Sequence, residues 1–320
     1  MRGGCHERAV QSLAESLVRQ RPGANERLRR IEAVIDWRAV EKALRPLRSD
    51  RGAPGYPALT LFKALLLQQW YGLSDPELEE ALSDRLSFRR FVGLSLDQEV
   101  PDHSTLWRFR EALGRTGVGQ KVFNEVELQM IERGLIVRKG TLIDASLVEA
   151  QAAPPEFNSD EPAHDEDAAW TRREGSGKKH FGYKAHVAVD QGSGLVRRAV
   201  LTPANVNDTE MADGLICGDE RAVYADRAYD SHARSARLKA AGIKNRIMRR
   251  GNKHHALCAR QKLRNRLISP VRAQVETVFA LWKRSYGYRK VRYYGLVRNA
   301  TQLTLMALAS NLRRALVLAT

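Results

Sequence analysis

Residues 268–290 read ISPVRAQVETVFALWKRSYGYRK and contain Glu276. Between Ala241 and Thr320 the chain has 18 Lys and Arg residues and one acid, and Glu276 is that acid. The first 240 residues hold 35 basic and 36 acidic residues, so the net charge of +16 resides in the C-terminal quarter. A concentrated basic region is the electrostatic footprint of a polyanion, usually nucleic acid. A solvated basic face explains a short charge run, but not this depletion of acids across apolar helical segments. Carboxylates repel phosphates, so depletion follows from nucleic-acid binding, and the one retained carboxylate needs its own cause. A helix ion pair to Arg272 is worth only about 0.2–0.5 kcal/mol. A divalent cation supplies a stronger cause, because it cancels the charge and ties the carboxylate to a phosphate.

The spacing predicts a helix that starts at Ser269 and Pro270. Val271, Val275, Val278 and Trp282 make one buried stripe. Arg272, Glu276, Phe279 and Lys283 run parallel to it about 100° round the helix, which puts Glu276 at the edge of the core, facing a cleft.

A metal site needs further carboxylates. Asp144 stands inside the apolar strand pattern TLIDASLVEA at 141–150, where Asp is disfavoured. Asp226 ends the strand pattern AVYAD at 222–226, although Asp also commonly begins turns. Two strand aspartates and a helix glutamate converging on strand ends would form a two-metal phosphoryl-transfer site. Mg²⁺ suits such hard oxygen ligands, and Mn²⁺ is its natural substitute. The other acids have plainer readings. Asp190 serves a hairpin turn, Asp208 and Glu210 sit where a helix begins, and Asp160, Asp165 and Asp167 belong to a solvated insert. His180 and His186 lack cysteine partners and read as structural or DNA-contacting, not as a zinc site.

Working outward, the second half alternates strands and helices after a hairpin, YKAHVAVD and LVRRAVLT around QGSG. This is the pattern of a mixed sheet flanked by helices. Residues 151–180, with three prolines and an acidic cluster, read as a long polar loop or disordered insert. The first half reads as helices. A Gly/Pro break lies at 51–57, and SDPELEEALSDRLSFRRFVG has Ser74 as N-cap and Glu77 closing a capping box. Asp102 or Ser104 caps a further helix. Helix, turn, helix is compatible with DNA reading by Ser104, Thr105 and Arg108, and equally with an ordinary bundle. The division expected is a helical DNA-binding or dimerisation domain at 1–135, a catalytic domain at 136–305 and a packing helix at 306–320.

Three widely spaced cysteines suit a reducing cytosol. The last apolar stretch is interrupted by Asn311, Arg313 and Arg314 and is too short and too charged to span a bilayer.

These blocks resemble the insertion-sequence DDE transposases, specifically the insertion-sequence-five type, over nearly the whole chain. Arg272, Glu276 and Lys283 match that family's Y-x2-R-x3-E-x6-K signature, with Ser269 at the tyrosine position. Ala228 stands where glycine often precedes the tyrosine of the Asp226 block. The resemblance implies an RNase H-like α/β fold on which Asp144, Asp226 and Glu276 are the catalytic, metal-holding triad, with two Mg²⁺ ions. It implies hydrolysis at the ends of the element and attack of the freed 3′-OH on target DNA. Partners would be double-stranded DNA and a second copy of the chain, in the bacterial cytoplasm at the nucleoid. Arg272 and Lys283 would contact the element end. Arg284, Arg289, Lys290, Arg292, Arg249 and Arg250 are the further phosphate-contacting candidates, and the tyrosines at 286–294 either stack on bases or belong to the core. A non-catalytic DNA-binding repressor and an RNase H-like nuclease are the rival readings.

Overall fold

The computed structural model describes residues 25–47, 55–157, 163–172, 177–251 and 256–319. The break at 51–57 lies partly outside these residues, and Cys5 and Asp160 lie wholly outside them. The first half forms α1 (Glu26–Val34), α2 (Trp37–Leu44), α3 (Ala58–Tyr71), α4 (Asp75–Asp84), α5 (Leu86–Val92), α6 (His103–Arg115) and α7 (Val118–Glu132). The capping box at Ser74 and Glu77 is present, and Asp102 is the residue that caps α6 by accepting from Thr105 N. The stretch 74–93 divides into two helices because Arg85 is extended.

The sheet comprises β1 (Thr141–Glu149), β2 (Ala169–Arg172), β3 (Lys179–Asp190), β4 (Val196–Pro203), β5 (Ala222–Ala225) and β6 (Lys244–Ile247). Its order is β2-β3-β1-β5-β6, and β4 also pairs β3. β3 is antiparallel to β1, β2 and β4, while β1, β5 and β6 are mutually parallel along the pairing. A three-stranded meander of β1, β3 and β4, extended beyond its first strand by two parallel strands, is the RNase H-like arrangement. Helices α8 (Asp208–Leu215) and α9 (His232–Ala240) make the crossovers to β5 and β6. Gly182 permits the closest part of the meander. Its φ is +152°, and a Cβ there would lie 2.3 Å from Val148 O on β1.

Side chains alternate across β1 and β3, and the two faces serve two cores. Ile143 and Ala188 pack with Leu215, Tyr229 and Leu238 under α8 and α9. Leu142, Val148, Val187 and Val189 face the other way, into the larger core shared with the helical half. Asp144 shares the face of Leu142 and Val148.

Three expectations change. Residues 163–172 of the insert are not simply solvated: they carry β2, and Asp165 is 2% exposed. Asp165 accepts from Tyr183 Oη (2.7 Å) and Gly295 N (3.1 Å), and Asp167 accepts from Leu296 N (2.7 Å). The insert thus caps the last helix, α12 (Leu296–Leu318), where negative charge complements the helix dipole. That helix begins well before residue 306. The helix carrying Glu276 also does not start at Ser269. α10 (Ala259–Arg272) contains Pro270, a 3-10 turn follows at Ala273–Val275, and α11 (Glu276–Ser285) begins at the glutamate. Because a 3-10 turn closes with three residues rather than 3.6, it rephases the side chains between the two helices.

α12 binds the two halves together. Its Asn311 side chain accepts from Val196 N (2.8 Å) and donates to Val196 O (2.7 Å) on β4. On its other side Ala309 O accepts from Trp70 Nε1 (2.8 Å), and Arg313 donates to Trp70 O (2.8 Å). Arg110, almost fully buried, ties α6 to Asp75 of α4, with Nη1 to Oδ1 at 2.8 Å. Burial opposes charge on Asp75, but the Arg110 hydrogen bonds and charge outweigh it and hold the carboxyl below its usual range. Replacing Asn311 by Leu strands a buried N–H and a buried C=O of Val196. Urea unfolding should show a loss of roughly 1–3 kcal/mol for each unpaired group.

Candidate active site

The parallel register pairs Thr141 with Val223 and Leu142 with Tyr224. Carried forward, it sets Asp144 beside Asp226, where β5 ends and the chain leaves the sheet. Adjacent strands are about 4.8 Å apart, so the two carboxylates occupy neighbouring rungs. Asp226 caps the short turn Arg227–Tyr229 by accepting from Ala228 N at 2.8 Å. Arg234 fixes that turn from beneath: its guanidinium donates to Tyr229 O, to Thr209 O (2.7 Å) and to Asp213 Oδ1 (2.9 Å). The turn reading of Asp226 holds, and the same residue lies beside Asp144 at the end of β5.

Glu276 opens α11 above the same rim. Val275, Val278, Phe279 and Trp282 are buried beneath it, and Val271 is half-buried. The Glu276 side chain itself is 60% exposed. Arg272 joins the two sides of the site. Its Nη1 donates to Asp144 Oδ2 and its Nη2 to Glu276 Oε1, each at 3.0 Å. Its Nε is buried and unpartnered.

Burial pushes the Asp144 carboxyl up to about 6. The Arg272 charge and the Ala145 N–H, which donates to it, pull it back down, while the charges of Asp226 and Glu276 push it further up. Asp144 therefore lies within the field of both other carboxylates. Tyr229 lies under this cluster, 1% exposed, with its hydroxyl unpartnered. Burial, then the charges of Asp208, Asp144 and Asp226, hold it protonated well above the ordinary tyrosine range. It is a neutral donor with no acceptor assigned, and the sequence signal for it was its place three residues after Asp226, across the turn. Asp208, at the start of α8, pairs with Lys184 Nζ at 2.8 Å. His186 is fully buried and hydrogen-bonded to Thr202 Oγ1 at 2.9 Å, and burial lowers its imidazole to about 4. It is a neutral structural group, as expected for a histidine without metal-ligand neighbours.

Three carboxylates with no nitrogen or sulfur donor among them suit a hard divalent ion. The donor chemistry fits, but the spacing is not preassembled. Among the described residues, no three His, Cys, Asp or Glu side chains are grouped to hold a metal ion. The guanidinium between Asp144 and Glu276 stands in that place.

The basic candidates divide. Arg284, Arg289 and Lys290 are exposed. The backbone of the last two meets the end of β1, with Glu149 N donating to Arg289 O at 3.0 Å and Val291 N to Glu149 O at 2.9 Å. Arg250 is exposed, and Lys283 is half-buried on α11. Arg249 is paired with Asp230 at 3.0 Å, and Arg292 reaches Leu73 O at 2.7 Å in the helical half, so both carry structural contacts. Tyr286 and Tyr288 are buried, Tyr293 packs under the Arg110 guanidinium at 4.4 Å, and Tyr294 alone of the four is 49% exposed. The tyrosines are mainly core. In the helical half Arg108 is exposed beside Ser104 and Thr105 and hydrogen-bonds to both.

Residues 137–312 match the family described as "Transposase DDE domain", and residues 15–112 match "Transposase domain (DUF772)". Two solved structures are similar at low identity. One is the piggyBac transposase synaptic complex with hairpin DNA, at 12% identity and a TM-score of 0.40, covering 86% of this chain and 71% of that chain. The other is a pre-cleavage Mos1 transpososome, at 11% identity and a TM-score of 0.20, covering 83% of this chain and 98% of that one. Neither overlap is close enough to transfer a residue's role.

The raised Asp144 fixes the sign of a pH effect. The folded chain holds a proton that the unfolded chain, near 3.8, gives up. Metal-free stability therefore falls as pH rises from about 3.8 to about 6, and the penalty is complete above that window. Asp144→Asn, which mimics the protonated side chain, should be the more stable protein above pH 6 by up to about 3 kcal/mol. Thermal melts across pH should show the difference vanish near pH 4.

Proposed function

The chain belongs to the transposase DDE-domain family, and from that premise we propose that it moves an insertion sequence of the insertion-sequence-five type. In this reading it binds the terminal inverted repeats, cuts the strands at the ends by hydrolysis and joins the 3′-OH ends to target DNA. The reading is supported by the Arg272 contact that joins Asp144 to Glu276 and by the parallel register that sets Asp226 beside Asp144 at the end of β5. Asp144, Asp226 and Glu276 would hold two Mg²⁺ ions, with Mn²⁺ as a substitute. When bound, the ions supply charge neutralisation and Lewis acidity for phosphoryl transfer.

The chain's own residues set the rest. Asp144 is mostly buried, which strengthens its charge interactions at the rim. The Arg234 contacts fix the turn after Asp226, and the Ala228 N–H donates to its carboxylate. Arg284, Arg289, Lys290 and Arg250, exposed on the same basic C-terminal quarter, are assigned to DNA phosphates, with Lys283 at the element end. Arg249 and Arg292 are assigned a smaller share, because their guanidinium groups already have protein acceptors. α10 adds Arg260, Lys262 and Arg266, and Ile268 alone among its side chains is buried, so the helix lies out on the surface. No described helix is long and apolar enough to cross a membrane, and the bacterial cytoplasm is the compartment this reading requires. Two ends must meet in one complex, so the working form on DNA is at least a dimer.

One observation favours a second reading, a DNA-binding repressor descended from a transposase. A guanidinium locked permanently between Asp144 and Glu276 would serve such a protein as well. The two are separated by incubating the protein with Mg²⁺, a labelled duplex of the element end and a plasmid. Joined product from wild type is expected, and Glu276→Gln should lower it by at least about a hundredfold while retaining end binding. Binding without cutting or joining favours the repressor, and cutting without joining an RNase H-like nuclease. Removing Arg289 and Lys290 together should reduce the slope of log K against log salt by about two. An unchanged slope would take this segment off the DNA.

A further inference from the structure

We propose that Arg272 is a displaceable placeholder for the divalent cation: it bridges Asp144 and Glu276 in the free protein and hands them over when a DNA phosphate takes its guanidinium. This inference rests on the site proposed above and concerns how that site is assembled.

The bridge is not an ordinary helix ion pair. An i, i+4 pair on a helix surface contributes only a few tenths of a kcal/mol. Here one guanidinium contacts Glu276 on its own helical run and Asp144 on β1, 128 residues away in sequence. The Arg272 and Asp144 side chains are each 18% exposed. The group therefore spans the mouth of the site and does not lie on its surface.

Charge explains why something must stand there. A buried carboxylate beside two others needs a cation, and in the free chain the Arg272 guanidinium reaches Asp144 and Glu276 together. It supplies one positive charge where divalent ions would supply more. It also engages one oxygen of each carboxylate, Oδ2 of Asp144 and Oε1 of Glu276. A metal held by these residues would compete with the guanidinium for the same carboxylates.

The bridge is built to be given up. The Nε of Arg272 is buried without a partner, so the guanidinium is incompletely satisfied where it stands. A phosphate diester accepts from the same planar fork in bidentate fashion. Within the last 80 residues Glu276 is the one acid, so Arg272's own segment offers it no other carboxylate. DNA binding and metal binding are then coupled and, by linkage, reciprocally so. The protein holds its metals weakly until DNA is seated.

The test measures metal directly, without turnover. Mn²⁺ is titrated into DNA-free protein and the unbound ion followed by electron paramagnetic resonance. Arg272→Gln should bind Mn²⁺ at least about tenfold more tightly than wild type, since it removes the competing charge. Arg272→Lys should gain less, because one ammonium still occupies one carboxylate. Equal or weaker Mn²⁺ binding by a folded Arg272→Gln overturns the proposal. Asp144→Asn separates this failure from failure of the site itself: if Asp144→Asn binds Mn²⁺ as well as wild type, the carboxylate site is wrong. If it loses Mn²⁺ while Arg272→Gln gains none, only the placeholder is wrong. Should Arg272→Gln not fold, a wild-type crystal structure at saturating Mn²⁺ decides. The guanidinium is expected away from both carboxylates, and finding it still bridging them overturns the proposal.

Discussion

One helix has to close the larger core from two sides at once. Leu296–Leu318 is 23 residues long and packs on β4 on one side and on α3, α6 and α7 on another. A helix that is apolar on most of its faces is stable only when surrounded, and this one is surrounded by β4 and by the helical half, which also meet where Arg197 and Arg198 of β4 pair with Glu127 of α7. Its polar residues confirm the arrangement. Asn299 accepts from Tyr293 N and donates to Tyr293 O within the preceding loop, and Asn311 grips the β4 backbone. The carboxylates of Asp165 and Asp167 meet the N–H groups where the helix begins. The interior of the protein is therefore continuous from Leu28 in α1 to Ala315 near the end of α12.

The rim of carboxylates depends on that continuity at one remove. β1 is gripped by β3 along its length, and its end is closed by the segment that follows α11. α11 is held by Trp282, which packs edge-on to Phe279 and Tyr288. Glu276 and Asp144 come from elements that are each held by packed neighbours, and the Arg272 side chain joins them. Under the proposal above, one long side chain changes partners while the backbone walls stay in place.

Much of this was legible in the sequence. The hairpin around QGSG, the strand ending at Asp226 and the capping box at Ser74 are local chemistry, and local chemistry is readable from neighbours in the chain. The stripe of Val275, Val278 and Trp282 was legible because periodicity survives a single 3-10 turn. What was hidden depended on partners far away. Asp165 looks like any acid in a polar segment until Tyr183 and Gly295 are placed beside it. Arg292 looks like a surface cation until Leu73 offers its carbonyl. The 3-10 turn before Glu276 was missed because Ala273, Gln274 and Val275 are unremarkable helix formers, and the nearby Pro270 was read as a start. Arg272 was read correctly as the neighbour of Glu276, but its second partner, Asp144, lies on a strand that no spacing rule connects to it.

The shared helix also has a consequence for the order in which the protein comes into being. Trp70 donates to Ala309, a partner 239 residues further along. Synthesis runs from the N-terminus, so the helical half emerges long before the helix that completes its core. Its apolar groove stays open while the whole sheet is made, and contacts between residues so distant are slow to form. Chains at this stage expose surface that aggregates or recruits chaperones. A product cut short before Leu296 would leave the larger core open on its sheet side and its helical side together.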